Sequence, residues 1–126
     1  MAASGRASIT QALHECLVYA DQLVSVPGVA FAEWGPGDMG MSYGNAVGHD
    51  PPYSGEMMDA MRLVKGATQS AGLPFLSGWN DPALTVAERA RYQIEELGVK
   101  IIATGGVESE ELMMAGRKLT NRQMPV

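Results

Sequence analysis

The stretch FAEWGPGDMGMSYG, residues 31–44, runs from an apolar segment into a turn of glycine and proline that carries one aspartate. Phe31 to Trp34 reads as the end of a strand buried on both faces, the pattern of a parallel sheet. Gly35, Pro36 and Gly37 then remove bulk from the turn just before Asp38. Such a turn brings bare backbone N–H groups and one carboxylate close to something small.

Before this stretch, Leu13, Cys16, Leu17, Ala20, Leu23 and Val24 recur at helical spacing after Ser8 and Thr10, either of which is a capping residue. The spacing predicts a helix over about 9–25, broken by Pro27 and Gly28, and then the strand VAFAEW. After it, residues 39–54 are rich in Gly, Asn, His, Asp and Pro without a period, and read as a long loop. Met57, Met58, Met61, Val64 and Ala67 or Thr68 mark a second helix ended by Gly72, and LPFLSGW reads as a second strand.

TVAE, residues 85–88, has the form of a capping box, with Ala87, Ala90, Ile94 and Leu97 as the buried face and Gly98 as the stop. VKIIATGG supplies a third strand, and a last helix covers about 109–117. This alternation predicts an α/β fold with a parallel sheet and right-handed crossovers. A closed (β/α)8 barrel takes about 250 residues, so 126 residues and three strands suit either a small open α/β domain or part of a barrel. In both, sites lie in the loops after the strands.

A hydrophobic content of 46% is enough for a core, and one domain is expected, with residues 1–11 a loose start. The net charge of −5 argues against nucleic acid and anionic membranes as partners. Cys16 is the single cysteine, so no internal disulfide is possible, and a reducing cytoplasm is the expected compartment. No apolar run approaches the roughly 20 residues of a membrane span, and no apolar segment follows the polar start as a secretory signal requires.

Asp38 is the central candidate for chemistry. A carboxylate just past a parallel strand suits Mg²⁺ or Mn²⁺, which prefer oxygen ligands and take one or two carboxylates with water or substrate. The adjacent N–H groups of Gly37 and Asp38 would form an anion-binding nest. A second reading, equally open on spacing alone, has Asp38 capping a short helix that Gly and Pro merely shape.

VPGVAFAEWGPGDMGMSYG, together with GHDPP, AGLPF and GVKIIATGG, resembles the C-terminal half of the HpcH/HpaI aldolase and citrate lyase family. The family pattern G-P-x-D-L-x-x-S-x-G is matched by Gly35, Pro36, Asp38, Ser42 and Gly44, with Met39 in place of leucine, and the likeness covers about residues 17–126. It implies a partial (β/α)8 barrel and a metal-dependent lyase. The reaction would cleave a 4-hydroxy-2-oxo acid to an aldehyde and a pyruvate-type 2-oxo acid bound to Mg²⁺, Mn²⁺ or Co²⁺.

By the same resemblance Asp38 is the metal ligand, Gly35, Pro36, Gly37 and Asp38 hold the substrate, and Gly78 and Trp79 line the pocket. The second metal-binding carboxylate, a glutamate on the preceding strand, falls at Ala12; Glu15 lies nearby but out of register. The family's arginine and histidine belong to its N-terminal half, and neither Arg6 nor His14 matches their motifs. The chain therefore reads as N-terminally truncated or rearranged, with impaired catalysis and exposed sheet edges, and a homo-oligomer is expected to cover those edges.

Other residues carry less. His49, in the loop, has no paired carboxylate; Cys16 lies on an apolar stripe; Glu33 suits either a ligand or an ion pair. The acids of ESEE, 108–111, favour a helix N-terminus, and the methionines of 57–61 suit a core or subunit contact. Two other functions stay open: a non-catalytic barrel remnant or interaction module, and a small anion-binding α/β domain.

Overall fold

The computed structural model describes residues 7–10, 14–45 and 51–123. Four strands, β1 (Ala7–Thr10), β2 (Val29–Trp34), β3 (Phe75–Ser77) and β4 (Ile101–Ile102), form one sheet in the order β1-β2-β3-β4. Every pairing is parallel. Three of the strands are those expected from the sequence. The fourth, β1, lies within residues 1–11, expected as a loose start, and overlaps the first two residues of the expected helix.

The expected helix over 9–25 is accordingly shorter: a 3₁₀ helix covers His14–Tyr19 and α1 covers only Ala20–Val24. The reason is tertiary pairing. Ser8, Ile9 and Thr10 lie in register with Phe31, Ala32 and Glu33, so this segment takes its backbone hydrogen bonds from β2 rather than from its own turns. Ser8 and Thr10 thus stand in a strand instead of capping a helix.

After β2 the helix α2 (Pro36–Ser42) takes up the first part of the expected long loop, with Pro36 at a first-turn position that suits its fixed φ. It closes at Gly44, where Gly44 N–H donates to Met41 O at 2.9 Å and Asn45 N–H donates to Gly40 O at 2.9 Å. Gly44 needs its φ of 78° for this turn. The glycine of the S-x-G pattern is therefore a helix stop.

The helix α3 (Gly55–Ser70) begins where the Ser54 hydroxyl accepts from Met57 N–H, and stops at Gly72 (φ 69°) with Leu73 N–H on Thr68 O at 3.0 Å. Its stripe of Met57, Met61 and Val64 is fully buried against Ala32, Trp34 and Phe75, as the spacing predicts.

The capping box at the start of α4 (Val86–Arg91) is complete: Thr85 N–H donates to Glu88 Oε2 at 2.8 Å, and Glu88 N–H to Thr85 Oγ1 at 3.3 Å. A π turn, Tyr92–Glu96, continues it. The buried positions are Val86, Ala90, Gln93 and Leu97, so the inward face is rotated from the expected one and Ala87 is exposed. The last helix, α5 (Ser109–Thr120), extends three residues beyond its expected end.

The Thr85 hydroxyl and N–H hold the Glu88 carboxyl below its ordinary value. A depressed folded-state pKa gives stability that is present above the unfolded value and lost as pH falls through the folded one. Glu88→Gln should therefore lower the melting temperature slightly at neutral pH and leave it nearly unchanged at the acid end, so that the acid limb of the profile flattens. An acid limb that keeps its parental slope would place the acid sensitivity elsewhere.

The strand register sorts the two faces of the sheet. Ala32 and Trp34 align with Phe75 and Ser77, and Ser77 with Ile102; this face packs on the helices. Glu33, Leu76 and Ile101 align on the opposite face, where Glu33 and Leu76 are half-buried and Ile101 is 37% exposed. All the core clusters lie on the first face. Among the described residues the helices cover one side of the sheet, as in a barrel wall.

Among the described residues no helix is long and apolar enough to cross a membrane.

Candidate functional site

The turn after β2 is the N-terminus of α2. Gly35 has extended backbone and caps it, Pro36 lies within the first turn, and Met39 N–H donates to Gly35 O at 3.0 Å. Helix geometry leaves the N–H groups of Gly37 and Asp38 without intrahelical acceptors. Met39 is wholly buried and anchors the helix, while Asp38 is exposed. Among the described residues no hydrogen bond or ion pair engages the Asp38 carboxylate. It accordingly caps nothing, and the capping alternative drops out.

A Cβ placed on Gly35 or Gly37 would meet nothing within 4 Å, and neither has a positive φ. Packing and backbone conformation within the chain therefore do not demand glycine at either position. What their lack of side chains does is keep the space above the first-turn amides open.

Gly78 is different. Its N–H donates to Trp34 O at 3.3 Å, and a Cβ there would lie 3.1 Å from Pro36 Cδ. The end of β3 is thus pressed against the start of α2, and Gly78 joins Gly35, Pro36, Gly37 and Asp38 in one place. Trp79 takes the other direction. It is buried, its ring lies 4.5 Å from that of Tyr92, and it belongs to the helix-side core.

Ser42 donates to Met39 O at 3.1 Å, inside α2. Tyr43 follows it; burial first, then the carboxylates of Glu56 and Asp59, push its phenol above the usual value. Glu33 lies on the open face of the sheet, one strand position before Trp34. Glu15 lies in the 3₁₀ helix, out of register with the strand as expected, and Cys16 is half-buried. Ala12 and His49 fall outside the described residues.

Among the described residues no group of three or more His, Cys, Asp or Glu is placed to hold a metal. A hard divalent ion in this turn would take Asp38 from the chain and complete its shell with substrate and water oxygens. The donor chemistry at Asp38 suits such an ion, and the open space over Gly37 suits a small carboxylate.

A cavity of about 240 Å³ lies past the ends of β3 and β4 between α4 and α5. Trp79, Asn80, Arg89, Gln93, Thr104 and Glu108 line it. Arg89 donates from Nη1 to Asn80 Oδ1 at 2.7 Å and from Nη2 to Glu108 Oε2 at 2.5 Å, while its Nε and Gln93 Oε1 are buried without partners. A polar cavity with a spare donor and acceptor suits ordered water. Glu108 balances the arginine, which removes the drive for an anion there. The sequence analysis did not single out Arg89 or Gln93, because their partners come from separate segments.

No family model and no curated protein matches the chain. Solved structures do. A HpcH/HpaI aldolase/citrate lyase family protein from Burkholderia cenocepacia J2315 matches at 24% identity and a TM-score of 0.61, over 90% of this chain and 40% of its own. The HpcH/HpaI aldolase of Desulfitobacterium hafniense DCB-2 matches at 18% identity and 0.62, over 94% of this chain and 43% of its own. This chain has the HpcH/HpaI aldolase fold.

The citrate synthase SbnG matches at 14% identity and a TM-score of 0.63, over 90% of this chain and 43% of its own. The chain thus spans less than half the length of the structures it matches. Its four strands form part of the HpcH/HpaI-type (β/α)8 barrel, and the GPGD turn lies where such barrels carry their sites, at a strand's C-terminal end.

Proposed function

We propose that the chain carries part of the site of a metal-dependent carbon–carbon lyase acting on 4-hydroxy-2-oxo acids. The observation behind this reading is the exposed Asp38 beside open first-turn amides, in a chain with the HpcH/HpaI fold. Asp38 holds a divalent ion, the N–H groups of Gly37 and Asp38 hold the carboxylate of the 2-oxo acid, and Gly78 leaves room beside Pro36. The ion, when bound, acts as a Lewis acid on the keto oxygen and stabilises the enolate released by cleavage. With one carboxylate in the described turn, binding by this chain alone is weak and turnover is slight.

Calorimetric titration with Mn²⁺ and oxalate, an analogue of the enolate, tests the reading. Heat that requires both the metal and Asp38, and disappears in Asp38→Ala, supports it; absence of binding in the parent chain overturns it. Gly37→Ala sharpens the test. The substitution meets no atom and Gly37 has no positive φ, so the fold should be kept. Oxalate affinity should fall at least several-fold, because the new methyl occupies the space over the amides. Unchanged affinity in Gly37→Ala would remove those amides from the site.

A further inference from the structure

The cavity of about 240 Å³ between α4 and α5 has a buried floor and an open rim. Trp79, Val86, Gln93 and Leu112 line it as buried side chains, while Asn80, Thr104 and Glu108 line it as exposed ones. All the lining residues lie between Trp79 and Leu112, so one stretch of chain builds the walls. None belongs to the turn of Gly35 to Asp38.

Two atoms of the lining lack the partners that burial demands. Gln93 is 2% exposed and its Oε1 accepts nothing; Arg89 Nε donates to nothing, although both terminal nitrogens of the same guanidinium are engaged. A buried polar atom without a partner costs free energy that a bound group recovers. Arg89 and Gln93 are four residues apart where α4 runs into the π turn, so their side chains are neighbours on one face. A group between them has to accept from Arg89 and donate to Gln93.

Charge and size narrow the choice. Glu108 already pairs with Arg89, so an anion would meet the Glu108 carboxylate and a cation the Arg89 guanidinium. The occupant is therefore neutral. One water bridges two such atoms, but it takes about 30 Å³ of liquid volume and leaves most of the cavity unfilled. Trp79, Val86 and Leu112 offer the remaining space an apolar wall, the usual make-up of a small-molecule pocket.

We infer that this cavity binds a small neutral primary carboxamide with an apolar body. The amide carbonyl accepts from Arg89 Nε–H, the amide N–H donates to Gln93 Oε1, and the body lies along Trp79, Val86 and Leu112. An amide puts acceptor and donor on two atoms of one rigid plane, which suits two protein groups one helical turn apart. The inference does not rest on the lyase reading.

NMR titration of the pure full chain with benzamide, acetophenone and benzoate tests it. The three share a ring; acetophenone keeps the acceptor without the donor, and benzoate brings a charge. Benzamide should shift the Trp79 indole and Arg89 Nε–H resonances and bind about tenfold more tightly than either of the others, the worth of one buried hydrogen bond. Gln93→Leu removes the unpartnered acceptor and keeps an apolar side chain of similar bulk, so the fold is kept and the advantage of benzamide over acetophenone disappears. No shift at either resonance up to the solubility of benzamide would mean that the cavity holds water only, which overturns the inference. So does benzoate binding as tightly as benzamide, or a benzamide advantage that survives in Gln93→Leu.

Discussion

Trp34→Ala should shift the urea midpoint of unfolding sharply downward. Trp34 is fully buried at the end of β2, and its ring meets Tyr53 edge to face with centroids 5.4 Å apart. Removing so large a core side chain costs about 3–5 kcal/mol, against about 5–15 kcal/mol for the whole of a typical domain. The cavity would open beneath the GPGD turn, because Trp34 O also accepts from Gly78 N–H.

Trp34→Phe provides the contrast. The indole Nε1 is buried without a partner, so phenylalanine removes an unsatisfied donor while keeping an aromatic ring. Its loss of stability should be less than half that of alanine, read as the shift in urea midpoint. Equal losses would mean that ring volume alone decides this position.

Arg89→Ala should be the most damaging substitution of a charged residue, at about 1.5–3 kcal/mol. The Arg89 side chain is only 12% exposed and joins three segments: α4, the loop after β3 through Asn80, and the residue before α5 through Glu108. Glu108 is 53% exposed, which screens the pair and places the expected loss toward the lower end. Arg89→Lys should recover less than half, since an ammonium lacks the planar fork that reaches both partners. Thermal unfolding of the two variants and of Glu108→Ala measures this. A neutral Arg89→Ala would show that α4 and α5 hold together by Val86, Ala90 and Leu112 alone.

The fold was legible where one segment carries its own signal. The Thr85 and Glu88 box, the Gly72 stop and the methionine stripe of α3 are local patterns of three or four residues, and each forms as read. The candidate turn was legible for the same reason, since a strand end, Pro36 and two glycines are adjacent in the chain. Ala7–Thr10 was not, because four residues are too few for a period and their hydrogen bonds come from β2, about twenty residues away. The inward face of α4 was misread because Ala87 and Ile94 have the right composition, whereas the π turn and the packing of Val86 and Gln93 set the rotation.

The sequence by itself determined the parallel α/β alternation, the helix boundaries set by caps and glycines, and the place of Asp38 just past a strand. These follow from backbone rules that act within a few residues. Only the tertiary structure decided that Gly78 meets Pro36 while Trp79 turns into the core, that Arg89 ties Asn80 to Glu108, and that among the described residues the core packs on one face of the sheet. Those facts depend on which strand pairs with which and in what register, and pairing energy between distant segments leaves no mark in either segment alone.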